Sequence, residues 1–319
     1  MSTVFNTIKV FFKGINPFSR NDENVSVILF VIRKILAFIF VYFASMFIAE
    51  AIAIIIHFAM GYNVLKGEML SMQAMTLMKY YGYIIHIGVI FLYCKIFERR
   101  SPKTLGFNKK VTIYLKGILV AVLLLTVCIG LSLLTGAIKY NGIFKSIDFP
   151  IILAFMGGFI VQGAMEETMC RGFFMTSLSK KVVIPIAIFI SSIAFAWPHF
   201  SSLFQADLIY CIIGLANLLL VSAVFALYII NDGNIYVACG LHSFWNFISL
   251  NVCRLNLSGI SGTDGQSTAI FNLSVNGSCI LNGGQYGIES SILTTLVLTI
   301  CTVLLTLKFK KKGIKKIEF

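Results

Sequence analysis

The chain contains runs of about twenty residues almost free of charge, and these limit its fold more than any other feature. A helix rises about 1.5 Å per residue, so a run of that length crosses the roughly 30 Å hydrocarbon core of a bilayer. Eight such runs can be read: Ile35–Met60, Leu77–Ile96, Val111–Leu134, Pro150–Met175, Val182–Trp197, Leu208–Ile230, Ile235–Val252 and Ser291–Leu307. Backbone N–H and C=O groups in lipid must bond within their own segment or a closed barrel, and long apolar runs do so as helices. The expected fold is all-α: a polytopic transmembrane helical bundle of about eight spans. Composition agrees. Of 319 residues, 58% are hydrophobic and 12% charged, against roughly 45–50% and about 25% in soluble domains. Mean hydropathy is +0.90.

The net charge of +13 would suit a nucleic-acid partner if the basic residues formed one patch. They sit instead in short segments beside the apolar runs, so no nucleic acid is expected and the lipid bilayer is the first partner. With the N-terminus in the cytoplasm, the N-terminal segment, the 97–110 loop, Lys180-Lys181 and the tail after Leu307 all fall inside. These segments hold most of the Lys and Arg, while the outer loops keep only a few, such as Lys66, Lys139, Lys145 and Arg254. An even number of spans then puts both basic termini in the cytoplasm. The chain divides into a cytoplasmic or interfacial segment (1–34), N-terminal helices (35–148), a central core (149–250), an extracytoplasmic loop (251–290) and a last helix with a basic tail (291–319). Val4–Phe18, apolar but carrying Lys9 and Lys13, reads as an interfacial helix. The first 25 residues lack the compact apolar core and small-residue cleavage site of a signal peptide. Cys253 and Cys279 share the long loop and are read as free thiols, with a disulfide as the alternative. Asn256, Asn272 and Asn276 head N-x-S sequons there.

Ionisable side chains at membrane depth are costly and mark functional sites. Of thirteen acidic residues only Glu50, Glu166 and Glu167 lie clearly inside spans, while all four histidines, His57, His86, His199 and His242, lie in spans or at their ends. Glu167 and Arg171 are four apart and share a helix face, where the guanidinium neutralises the carboxylate. Glu166 points about 100° away and has no such partner, which leaves it available as a base. In Phe195-Ala196-Trp197-Pro198-His199 the proline breaks the helix and sets His199 on an irregular turn. His242 and Asn246 lie four apart on one face, where they can polarise a carbonyl and hold its oxyanion. Each element alone has a plainer reading as helix–helix hydrogen bonding. Together, Glu166, His199, His242 and Asn246 supply a base, its partner and an oxyanion clamp, the inventory for attack of water on an amide.

In this order, Glu166-Glu167-xxx-Arg171, Phe195-xxx-His199 and His242-xxx-Asn246 resemble the motifs of the CPBP intramembrane proteases, also called the Abi or CAAX-protease family. Its members include the eukaryotic protease of prenylated CAAX proteins and bacterial proteins like the lysostaphin-resistance protein. The resemblance covers about residues 150–250, and Gly283–Glu289 also looks like many bacterial members. It implies an endopeptidase acting on a membrane-associated protein or peptide, in a cell membrane crossed many times, with a bacterial plasma membrane the best fit. Glu166 would activate water with His199 beside it, His242 and Asn246 would hold the oxyanion, and Glu167 and Arg171 would support the site. A metal is left open: Glu166, His199 and His242 are a donor set suited to Zn2+, yet a glutamate-activated water needs none.

Two other functions compete. A non-enzymatic bacteriocin-immunity or abortive-infection protein would share the fold without cleaving anything. A transporter or proton relay would use Glu50, Glu166, Glu167, His57 and His86, but the internal repeats and paired broken helices of many transporters are missing from the sequence. For Glu50 and His86, hydrogen bonding between helices is the expected role.

Overall fold

A computed structural model of the chain describes residues 10–20, 22, 25–108, 112–260, 268–317 and 319. Its long elements are α1 (Val27–Ala59), α2 (Met72–Tyr93), α3 (Ile113–Leu134), α4 (Phe149–Glu167), α5 (Ile184–Ala196), α6 (Leu208–Asp232), α7 (Tyr236–Phe247) and α8 (Ile292–Lys312). Two short strands, β1 (Ile138–Ile143) and β2 (Phe271–Val275), pair antiparallel. Part of Val4–Phe18 lies outside the described residues; residues 10–15 are helical.

Helix starts follow local chemistry. Ser26, Ser71 and Asp148 accept hydrogen bonds from the first-turn amides of α1, α2 and α4, where four donors lack intrahelical partners. Pro150 occupies the first turn of α4, where its missing N–H costs nothing.

Among the described residues, seven helices are long and apolar enough to cross a membrane. Their outward faces keep large side chains such as Phe47, Ile55, Leu119, Leu123 and Leu304 exposed. In water such faces would associate; against lipid tails they need no cover. The remaining expected span differs. α7 has 12 residues, and with the π-turn Ile248–Val252 that continues it it reaches only about 25 Å. It can be short because protein surrounds it: every α7 residue except Tyr236 and Phe244 is buried.

The basic segments gather at one end of the bundle. Lys34 reaches Glu98 at 2.8 Å, Arg100 reaches Ser177 at 2.8 Å, and Lys181 donates to Val25 O. Lys116 and Lys308 both pair with Asp232. The chain therefore returns to this end after each pair of passes, α7 included. The strand pair and the long loop lie at the other end. Cys253 and Cys279 are both free thiols, and burial pushes the Cys253 thiol up to about 11.

Candidate active site

α7 reaches the centre because glycines let it. A Cβ on Gly240 would collide with Tyr114 O of α3, and one on Gly117 with Val237 O. On the other flank a Cβ on Gly163 of α4 would collide with the Ser243 hydroxyl. Small residues allow close helix approach in membranes, and here they press α7 between α3 and α4, with Gly240 two residues from His242 on one side and Gly163 a turn before Glu166 on the other.

At the end of α4 the backbone widens into a π-helical stretch, Thr168–Met175, a distortion frequent at functional sites. It is bracketed twice. Ser191 donates to Cys170 O at 2.8 Å. Arg100 donates to Gly172 O at 3.1 Å, to Phe173 O at 3.4 Å and to the Thr176 and Ser177 hydroxyls. The stretch carries Arg171, which is fully buried, as is Glu167. Arg171 Nη1 donates to Glu167 Oε1 at 2.8 Å, and Nη2 to Ser222 Oγ at 2.7 Å. Ser222 in turn donates to Ser192 at 2.8 Å, and the guanidinium lies over Phe195, 4.4 Å from its ring centre. The pair expected from the i, i+4 spacing is present.

That pair does more than neutralise itself. His242 Nδ1 is 2.9 Å from Glu167 Oε1, while its Nε2 is 3.7 Å from Glu166 Oε2. A carboxylate only accepts, so Nδ1 carries the proton and Nε2 faces Glu166. The ring stacks on Phe225 at 5.0 Å and is 5% exposed. Glu166 also has a local partner that the sequence reading missed: Gln162 Nε2 donates to its Oε1 at 3.1 Å, and Asn246 Nδ2 reaches Gln162 Oε1 at 3.4 Å. Gln162 stands four residues before Glu166, the spacing that revealed Glu167 and Arg171. A polar chain thus runs Asn246, Gln162, Glu166, His242, Glu167, Arg171, Ser222.

His199 sits where α5 gives way to the 3-10 turn Trp197–His199, the break expected at Pro198. Its Nδ1 donates to Phe195 O at 3.1 Å, since a carbonyl only accepts, and this leaves Nε2 as an acceptor. It lines the same cavity as Glu166, His242 and Asn246. Among the described residues no group of three His, Cys, Asp or Glu is placed to hold a metal ion, the trio Glu166, His199 and His242 included. Both Nδ1 atoms bond protein acceptors, which leaves the Nε2 atoms as the ring nitrogens not held by Phe195 O or Glu167.

Two cavities meet at Glu166, His199, Lys79 and Tyr83. One, of about 300 Å3, holds the polar chain and runs toward Asn217 and Glu289. The other, of about 760 Å3, lies between α1 and α2 and is rich in methionine, with Met46, Met69, Met72, Met75 and Met78 on its walls. Glu50 and His57 border this second cavity. His86 hydrogen-bonds Ser45 of α1 at 2.9 Å, the helix–helix role expected for it.

Residues 148–248 match the family model described as type II CAAX prenyl endopeptidase, Rce1-like. All three motifs lie inside that stretch, about a third of the chain. No curated protein matches the chain, and no solved structure matches it.

Proposed function

We propose, from the match of residues 148–248 to the CAAX prenyl endopeptidase family model, that the chain is an intramembrane endopeptidase that hydrolyses a peptide bond of a membrane-associated substrate with a water activated by Glu166. The observation that carries this reading is the placement of His242 between two glutamates, tied to Glu167 and facing Glu166. It divides the carboxylates into one that fixes the imidazole and one that faces the cavity.

The reaction balances within these residues. The Glu166 carboxylate takes a proton from water held between it and His199 Nε2, and the hydroxide attacks the scissile carbonyl carbon. Charge builds on the carbonyl oxygen, where Asn246 Nδ2–H and the protonated His242 Nε2–H stabilise it. His242 can donate there only as the imidazolium, because Nδ1–H is already given to Glu167. Collapse of the tetrahedral intermediate breaks the C–N bond. The proton held by Glu166 passes to the leaving amine and restores the carboxylate. Glu167 and Arg171 hold the imidazole and do not touch substrate. The methionine-lined cavity suits the apolar part of a membrane-bound substrate, because thioether side chains adapt to irregular shapes.

In this account the basic end of the bundle faces the cytoplasm of a bacterial plasma membrane, in line with the positive-inside rule, and residues 149–250 form the catalytic core. The direct test maps new peptide C-termini by mass spectrometry in membranes containing the wild type or Glu166→Gln. Termini that depend on Glu166 support the reading. Identical termini with both proteins, alongside retained physiological activity of the Glu166→Gln variant, would favour a binding protein of the immunity type.

A further inference from the structure

The smaller cavity has a second polar pole, away from the His242 chain. It is built by the stretch Gly283–Glu289, which none of the steps above uses. Gly287 adopts φ of +109°, where a side chain is strained and a Cβ would strike the backbone of Asn256. The turn that follows, Ile288–Ser290, sets Glu289 against the cavity. Glu289 Oε2 accepts from Ser258 N and Ser258 Oγ, both at 2.7 Å. Among the described residues no Lys, Arg or His lies within ion-pair distance of Glu289.

Asn217 of α6 stands beside it, 2% exposed. Its Nδ2 donates to Glu289 O at 2.8 Å and to Ser291 O at 3.0 Å. Two carbonyls take both amide hydrogens, so the orientation of the amide is fixed and Oδ1 must be the remaining group. Oδ1 is buried without a hydrogen-bond partner. A buried acceptor left unpaired costs about 1–3 kcal/mol, so its retention calls for a donor not in the chain. Both groups of this pole, the Glu289 carboxylate and the Asn217 carbonyl oxygen, accept hydrogen bonds, and one carries negative charge.

Leu218, Val221, Trp245, Leu257 and Leu298 line the same cavity and give it apolar wall between its polar groups. Apolar walls with an acceptor pole at the end match a side chain that has an aliphatic stem and a cationic tip. The other charged or titratable groups facing the cavity are Glu166, His199, His242, Lys79, Tyr80 and Tyr83. Lys79, Glu166 and His199 also border the methionine-lined cavity, whereas Glu289 and Asn217 do not. The geometry points to a specificity subsite in which Glu289 and Asn217 receive a lysine or arginine side chain of the substrate, close to the bond that is cut. The subsite rests on the endopeptidase reading for its occupant, but its chemistry can be measured without turnover.

The test uses full-length protein in lipid nanodiscs and a set of fluorescent, quenched apolar peptides. In each peptide one position carries lysine, arginine, norleucine or glutamate. Cleavage is followed with wild type and Glu289→Gln. Binding of the same peptides is followed by anisotropy with Glu166→Gln and with Glu166→Gln/Glu289→Gln, which need not cut. At one position lysine and arginine should be preferred over norleucine by about tenfold, the scale of a single charge-assisted hydrogen bond. Glu289→Gln should bring that ratio close to one, and its amide oxygen can still accept from Ser258, which guards the fold. A ratio that Glu289→Gln leaves unchanged, in cleavage and in binding, overturns the subsite. A Glu289-dependent binding preference without any cleavage would uphold the subsite and contradict the endopeptidase reading.

Discussion

His242 Nδ1 lies 2.9 Å from a carboxylate oxygen of Glu167, a residue with no solvent exposure. This contact turns a helical ion pair into a support for an imidazole. Glu167 Oε1 receives both Arg171 and His242, so removing it leaves a buried guanidinium without its counter-ion and a ring free to rotate. Breaking a buried pair in this way costs about 3–5 kcal/mol.

Glu167→Ala is therefore expected to destabilise the protein strongly, while Glu166→Gln should leave its stability near that of the wild type. Thermal unfolding in detergent, read by tryptophan fluorescence, compares the two. Equal losses would mean that the two carboxylates do not differ in kind.

The proposed chemistry needs Glu166 ionised and His242 doubly protonated at once. The rate should fall on the alkaline side as His242 loses its second proton. His242→Asn should abolish the alkaline limb along with most of the rate. An alkaline limb that persists in the residual activity of this variant would assign that proton elsewhere.

Arg100 sits outside the motifs yet donates to Gly172 O, Phe173 O, Thr176 Oγ1 and Ser177 Oγ around the π-helical stretch. Arg100→Lys keeps the charge but loses the fork that makes these bonds together. We expect kcat to fall about tenfold or more with KM little changed, because the variant displaces Arg171 and not the substrate walls. An unchanged kcat would show that the π-helical stretch holds without this bracket.

Gly240→Ala forces a methyl group against Tyr114 O. Overpacking of this kind costs about 1–3 kcal/mol and pushes α7 away from α3. Stability and activity should fall together, and a compensating space at α3 is not available because Gly117 is already a glycine. Wild-type unfolding of Gly240→Ala would disprove the tight α3–α7 approach.

How much could be read from the sequence followed the range of each interaction. The spans were legible because lipid imposes one length and one composition on a crossing helix. Glu167 and Arg171 were legible because four residues in a helix is a fixed distance. Gln162 obeyed the same rule and passed unnoticed as an amide in an apolar run. Ser192 and Ser222 bond across α5 and α6, and nothing local in either helix announces that contact. The zinc set was assembled from residue types alone. Among the described residues Glu166, His199 and His242 do not form a group placed to hold a metal ion. Glu289 and Asn217 are 72 residues apart, so only the folded chain joins them.

The central claim is that Glu166 activates water for amide hydrolysis inside the membrane. It is tested most directly by kcat/KM of purified wild type and Glu166→Gln, in nanodiscs, on a quenched peptide identified from the mapped termini. Loss of the general base should lower kcat/KM by about 10²–10⁴-fold with unfolding temperature unchanged. Cleavage of that peptide by Glu166→Gln at the wild-type rate would contradict the account.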